Sequence, residues 1–223
     1  MVKEIVISAY DKPLDWIKEI SPEIKITIYR KGNVVPIQKN EISLNPNRGR
    51  CVHTFFNHIY LNYENLSDYT FFVQDFPFDH WGNLLEVLNS DISEIDNNAS
   101  LIIDGYFGFH NNNIGTAWKM NPSNQFGGGF VLSCQSNGFP QDLSSNINVN
   151  QYWSILFSDV HTPPNQYEFI PGGHFVITKE QAWVRSKEFY KKIVEFLLEN
   201  ENSPWIIERL ECYIFNKNFE TIL

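Results

Sequence analysis

Residues 69–81 read YTFFVQDFPFDHW. Tyr69 to Gln74 favour an extended backbone, because aromatic and β-branched side chains pack well on a pleated surface. Directly after them come Asp75, Pro77, Asp79 and His80, the residue types of a turn. A buried strand that hands carboxylates and an imidazole to a loop at its carboxyl end is how open α/β sheets build ligand sites, because the sheet fixes the backbone while the loop faces a crevice. The same pattern also describes an ordinary strand end, so the flanking chain has to decide between the two.

Upstream, Glu4 to Ala9 (EIVISA) reads as a first strand ending at Tyr10-Asp11. Pro13 to Ile20 has the spacing of a short helix opened by a proline, with Leu14, Trp16 and Ile17 as its apolar residues. A second strand, Ile24 to Tyr29, closes at the turn Lys31-Gly32-Asn33. Two strands joined by a helix predict a parallel, right-handed crossover. That puts Tyr10 and Asp11 on the same sheet edge as Asp75, where the Tyr10 ring either stacks on a base or covers the sheet edge.

Asn45 to Arg50 (NPNRGR) is a turn, and Cys51 to Tyr63 a helix with Val52, Phe55, Phe56, Ile59 and Tyr63 on its apolar face. Arg48 and Arg50 at its start oppose the helix dipole, which prefers negative charge there. A bound phosphate or diphosphate would offset that cost, since free N–H groups and guanidinium forks converge on it. The alternative is that both arginines pair with acids or point to water. His53 and His58 are five apart and do not make the i, i+4 pair of a metal site.

Downstream, Trp81 to Leu88 reads as a helix and Leu101 to Phe107 (LIIDGYF) as one strand. From 110 to 150 asparagine, serine and glycine dominate, around Gly127-Gly128-Gly129, and an irregular insertion is expected, either a lid over a cleft or plain surface. Gln151 to Phe157 is a short helix, and Ser158 to Pro171 a proline-punctuated loop with Asp159 and His161. The pair Gly172-Gly173 leads through His174 into a strand ending at Thr178, and such glycines let backbone approach a ligand closely. Thr178 with Gln181 forms a capping sequence, followed by a helical stretch to Leu198 and a last helix from Ser203 to Phe215. These elements predict an α/β fold, residues 1–223 as one domain, with a mixed, mostly parallel sheet and helices filling 179–223.

Composition narrows the function classes. The chain has 223 residues, 15% of them aromatic, enough to bury a sizeable core. A formal net charge of -9 and an isoelectric point near 5.1 argue against nucleic acid as a partner. Cys51, Cys134 and Cys212 are widely spaced and form no CxxC pair, which points to reduced thiols in a cytoplasmic protein. The first residues lack the long apolar run of a signal peptide, and no stretch approaches a membrane span, so a soluble protein is expected.

The series Asn47-Arg48-Gly49-Arg50, His53-Thr54, then TFFVQ with Pro77-Phe78-Asp79-His80, and the late Phe175-Val176, Phe189-Tyr190 and Pro204-Trp205 with Glu208-Arg209 resembles an uncharacterised domain-of-unknown-function family. That family has an "N-x-G-R-E-x-H-T" helix start, an "F-L-Q-G-H-P-F-D-H" strand end and a "P-W-x-x-E-R-x-W" tail. Its members are regarded as glycosyltransferases of the A fold (GT-A), similar to some small viral glycosyltransferases. Asp75-Phe76 stands where the family has Gly-His, and Cys51 where it has an acid, so the chain has no plain Asp-x-Asp in these motifs.

The resemblance implies a GT-A-like nucleotide-diphospho-sugar transferase that moves a sugar from a nucleotide-diphosphate donor to a glycan or other hydroxyl acceptor. Leaving diphosphate needs counter-charge, from Mn²⁺ or Mg²⁺ on carboxylates or from basic side chains. Asp75, Asp79 and His80 are the expected metal ligands. Tyr10, Asp11, Arg48, Arg50, Gln74, Gly172, Gly173 and His174 are expected around the donor. Trp205-Ile206-Ile207-Glu208 resembles the Trp-x-x-Glu element that supplies the base in many such enzymes, which makes Glu208 the expected general base and Asp79 the second candidate. Two other classes stay open: a non-catalytic nucleotide- or glycan-binding module of the same fold, and a metal-dependent phosphoester hydrolase built from the same acids and histidines.

Overall fold

Alternation along the strands sorts the core into two layers. In β1 (Lys3–Ala9) the residues Ile5, Ile7 and Ala9 face one side of the sheet, while Glu4, Val6 and Ser8 face the other. In β4 (Tyr69–Gln74) Phe71 and Val73 share the first side and Phe72 the second. The computed structural model describes residues 1–32, 40–91, 100–103, 106–108, 118–120, 149–157, 162–164, 167–169 and 173–216. Gly172, Asp159, His161, the Gly127–Gly129 run and most of the stretch 110–150 lie outside the described residues.

The main sheet has seven strands in the order β3-β2-β1-β4-β9-β6-β5. Its other members are β2 (Lys25–Lys31), β3 (Glu41–Leu44), β5 (Ser100–Ile103), β6 (Tyr106–Gly108) and β9 (Phe175–Thr178). β3, β2, β1 and β4 are mutually parallel, and β9, β6 and β5 continue the sheet by antiparallel pairings. Five of the seven strands therefore run one way, giving the expected mixed, mostly parallel α/β sheet flanked by helices.

One side is covered by α1 (Arg50–Leu61), which buries Val52, Phe55, Phe56 and Ile59 against Val6 and Phe72. The other side is covered by α2 (Leu84–Asn89) and a 3-10 turn at Asp15–Glu19 that occupies the place of the expected Pro13–Ile20 helix. There Trp81 stacks on Phe71 with ring centroids 6.0 Å apart. α3 (Asn150–Phe157) follows the long undescribed stretch, and after β9 come α4 (Lys179–Ala182), α5 (Lys187–Glu199) and α6 (Ser203–Ile214). The Thr178–Gln181 capping box is present in both directions.

Three readings need correction. LIIDGYF is two strands, β5 and β6, that pair antiparallel with Ile103 opposite Tyr106. The reason is in the sequence: Asp-Gly is the dipeptide that most favours a two-residue hairpin connection. The helical stretch to Leu198 is split, because Ser186 caps a new helix by accepting the Phe189 N–H at 3.2 Å. β7 (Trp118–Met120) and β8 (Tyr167–Phe169) form a separate antiparallel pair inside the stretches expected to be irregular. Among the described residues no helix is long and apolar enough to cross a membrane.

Candidate functional site

The order β3-β2-β1-β4 places the topological switch point between β1 and β4, since the chain leaves β1 toward β2 on one side and returns to β4 on the other. Ligands of open α/β sheets bind in the crevice outside the carboxyl ends of the strands at such a point. Register aligns those ends: Ser8 lies opposite Gln74, and Ala9 opposite Arg30. β9 runs the other way, so its first residue, Phe175, lies opposite Phe72 and brings Gly173 and His174 to the same edge.

Asp75 sits at this edge, and its carboxylate holds backbone there. Its Oδ2 accepts the backbone N–H groups of Tyr10, Asp11 and Lys12 at 2.9, 3.2 and 3.0 Å, and its Oδ1 accepts the Phe76 N–H at 3.1 Å. The Asp75 carbonyl accepts the Trp16 indole N–H at 2.8 Å. Three donors converge on Oδ2, one more than its two lone-pair positions. The carboxylate thus fastens the loop after β1 to the end of β4 and holds it so that Tyr10, 46% exposed, caps the edge. The Tyr10 ring also packs beside Gly32, where an added Cβ would come 3.2 Å from Tyr10 Cε2 and 3.9 Å from Asn47 Cβ. Tyr10 and the Asn47–Arg48 turn are therefore neighbours.

Asp79 closes the 3-10 turn Pro77–Asp79, its side chain 59% exposed, with Oδ2 at 3.7 Å from His80 Nε2. The His80 ring meets the buried His174 ring edge-on at 5.4 Å between centroids. His174 Nε2 accepts the Gln74 N–H at 3.4 Å. Gln74, His174, His80 and Asp79 thus form a continuous line from the end of β4. In the expected trio Asp75, Asp79 and His80, the Asp75 Oδ2 is taken up by backbone donors, while Oδ1 accepts one N–H. Among the described residues no group of three His, Cys, Asp or Glu could hold a metal ion.

The arginines lie at the start of α1. Gly49 (φ 67°) and Arg50 (φ 51°) both adopt left-handed backbone, which for a non-glycine residue costs about 1–2 kcal/mol. Gly49 is required: an added Cβ would lie 2.6 Å from His53 Cβ and 2.9 Å from the Leu197 carbonyl. The Arg50 guanidinium lies 5.5 Å over the Trp205 ring, and Arg48 Nη1 donates to the Leu198 carbonyl at 3.2 Å. A cleft of about 440 Å³ opens between Asn47–Gly49 and Leu197–Asn202. Gly173 (φ 62°) faces the same helix start, where an added Cβ would sit 3.8 Å from Cys51 Sγ.

Beneath this turn is a residue that the sequence reading treated only as part of a turn. Lys31, the last residue of β2, is 2% exposed. Its Nζ donates to the carbonyls of both Arg48 and Arg50, the latter at 2.6 Å. Burial pushes its amine down to about 7. The signal was present: a lysine ending a strand covered on both faces has to find partners inside. Burial likewise pushes the Cys51 thiol up to about 11 and holds His53 down to about 3.

Glu208, the expected base, lies on α6 with its side chain 15% exposed and its Oε2 2.9 Å from Arg209 Nη1. Arg209 is itself buried, donates to the Trp205 carbonyl at 2.9 Å and stacks over Phe169. Glu208 is thus half of an ion pair packed inside the domain, whereas Asp79 stands at the sheet edge. Tyr10, Asp11, Gln74, Asp75, Asp79, His80 and His174 share one end of the sheet, and Arg48, Arg50, Gly173 and Lys31 gather beside them at the start of α1. Neither a curated protein nor a solved structure matches the chain. A family model described as "protein of unknown function (DUF3431)" matches residues 5–222, and the chain belongs to that family.

Proposed function

We propose that this protein is a nucleotide-sugar-dependent glycosyltransferase with a GT-A-like fold, acting in the cytoplasm on a glycan or other hydroxyl acceptor. The observation that carries the reading is the exposed Tyr10 held at the β1/β4 switch point, with Asn47, the first residue of the Asn47–Arg50 turn, packed by Gly32 beside it. An aromatic face there offers a stacking surface for the base, and guanidinium groups offer charge for the diphosphate.

In this reading the acceptor oxygen attacks the anomeric carbon, the bond from that carbon to the diphosphate oxygen breaks, and the nucleoside diphosphate leaves with the bonding pair. Arg48 and Arg50 offset the charge that develops on the leaving group. The acceptor's proton goes to a carboxylate. Asp79 suits that role better than Glu208, because it is solvent-accessible at the edge while Glu208 is paired with Arg209. Mn²⁺ or Mg²⁺ would supply further counter-charge on the diphosphate, with Asp79 and His80 at the sheet edge as the residues that would hold it.

Thermal unfolding with uridine, guanosine or thymidine diphosphate, with and without Mn²⁺, tests the proposal. One of them is expected to raise the midpoint in the native protein and not in Tyr10→Ala, since a ligand that binds only the folded form stabilises it. No shift with any of them, alone or with Mn²⁺, overturns it. A second reading, a non-catalytic binding module of the same fold, is favoured by one observation: two of the three expected acids, Asp75 and Glu208, are engaged in structural contacts. Nucleotide binding without hydrolysis or transfer of the matching nucleotide sugar would select it.

A further inference from the structure

We infer that Lys31 is a positioning residue for anion binding: by holding the carbonyls of Arg48 and Arg50 from below, it sets the turn that presents both guanidinium groups to a diphosphate. The inference rests on the reading of Arg48 and Arg50 as the anion contacts.

Three features of the turn need an anchor. Arg50 keeps a left-handed backbone that a side-chain-bearing residue rarely adopts, and such strain persists only where the surroundings over-determine it. Gly49 packs against Leu197 and His53 from one side. From the other side Lys31 reaches both carbonyls, on either side of Gly49, from a fully enclosed position. In a trans peptide the carbonyl and the following N–H point opposite ways. Drawing the carbonyls of Arg48 and Arg50 toward Lys31 therefore turns the N–H groups of Gly49 and Cys51 away from it.

Burying an amine costs several kcal/mol unless its donors are used, and an apolar side chain of similar length would fill the space at lower cost. The placement of Lys31 is thus explained by what it holds. The groups around it are Arg50, Cys51 and His53 of α1 and, beyond Cys51, Glu208 and Glu211 of α6.

The test is a double-mutant cycle read by calorimetric binding of inorganic pyrophosphate to the full chain, with Lys31→Met, Arg50→Ala and the double variant. Each single substitution is expected to weaken binding about tenfold or more, and the double variant to bind no more weakly than Arg50→Ala. Should Lys31→Met not fold, Lys31→Gln, one atom shorter and uncharged, carries the same cycle. Additive losses overturn the inference, because Lys31 would then act independently of Arg50; so does unchanged binding in Lys31→Met. Wild-type protein that fails to bind pyrophosphate removes the anion site and the inference together. Wild-type protein that binds pyrophosphate but neither binds nor turns over any nucleotide sugar sinks the glycosyltransferase reading and leaves the positioning role standing.

Discussion

On the α2 side of the sheet, Ile5, Ile7, Phe71 and Val73 meet Trp81, Leu84, Val87 and Leu88. On the α1 side the same strands also bury a polar seam. Glu4 accepts from Thr27 and Ser67 and lies 3.6 Å from His58; Tyr29 meets His58 at 3.1 Å; Ser8 and Thr54 share a hydrogen bond of 2.8 Å; and Lys31 ends the row beneath the Arg48–Arg50 turn. On the helix the partners are Arg50, Thr54 and His58, four apart and hence on one face. The two sides do different work. The apolar side needs volume and shape. The polar side needs each partner at one height, so it fixes where α1 starts relative to β1 and β2, and with that the position of the arginine turn.

The sharpest break between the sides is a cavity substitution. Phe71→Ala removes the ring stacked on Trp81 and should cost roughly 3–5 kcal/mol by urea unfolding. The loss should be equal at pH 7.5 and pH 5.5, because the ring is stacked on Trp81, which does not titrate. A loss that depends on pH in this range would mean that the two sides are coupled.

Acid should act on the other side. Burial holds His58 down to about 4 and His53 down to about 3. Between pH 6.5 and those values the unfolded chain takes up protons that the folded chain refuses, so stability falls as pH falls. Below them both states are protonated and the loss stops growing. For Glu4 burial raises the carboxyl's pKa, but His58 and its hydrogen-bond partners outweigh that and leave it below the usual range. Its contribution is present above pH 4.5 and lost as pH drops through the folded value. From pH 7 to pH 5 the histidines predict a loss of about 2–4 kcal/mol. His53→Gln should flatten the slope, and Phe71→Ala should lower the whole curve without bending it.

How much of this could be read in the sequence follows the range of the interactions. Tyr69–Gln74 matches β4 end to end because six strand formers stand in a row between turn residues. The apolar face of α1 was legible from its spacing, but the seam was not: Thr54 and His58 look like ordinary polar positions until β1 and β2 put Ser8, Glu4 and Tyr29 opposite them. β7 and β8 were missed for the same reason, as each is three residues long and its partner lies nearly fifty residues away. Asp75 was recognised as a residue of the edge, but its backbone contacts were not. The three N–H groups that saturate it come from the loop after β1, 63 to 65 positions earlier, and no local pattern announces them.

That distinction makes Asp75 and Asp79, four residues apart, a comparison within the site itself. Asp75→Asn replaces a charged acceptor of several N–H bonds by an amide and should cost about 1–3 kcal/mol. Hydrogen exchange at Tyr10, Asp11 and Lys12 should speed up, and a nucleoside diphosphate should bind more weakly through the loosened Tyr10 loop. If exchange at those amides were unchanged, the clamp would be wrong.

Asp79→Asn should do the reverse. Its carboxylate is largely in water and among the described residues its ion-pair partner is His80, at 3.7 Å, so stability should change by less than about 0.5 kcal/mol. As the base that takes the acceptor's proton, however, it should lower sugar transfer by roughly a hundredfold or more while leaving binding of the nucleoside diphosphate unchanged. The pair of measurements separates the roles because they move in opposite directions: Asp75 acts through the loop it holds, Asp79 through the proton it accepts. Should Asp79→Asn transfer sugar at the native rate while Glu208→Gln does not, the proton goes to the carboxylate paired with Arg209. The Arg209 contact would then be part of the catalytic apparatus as well as of the core.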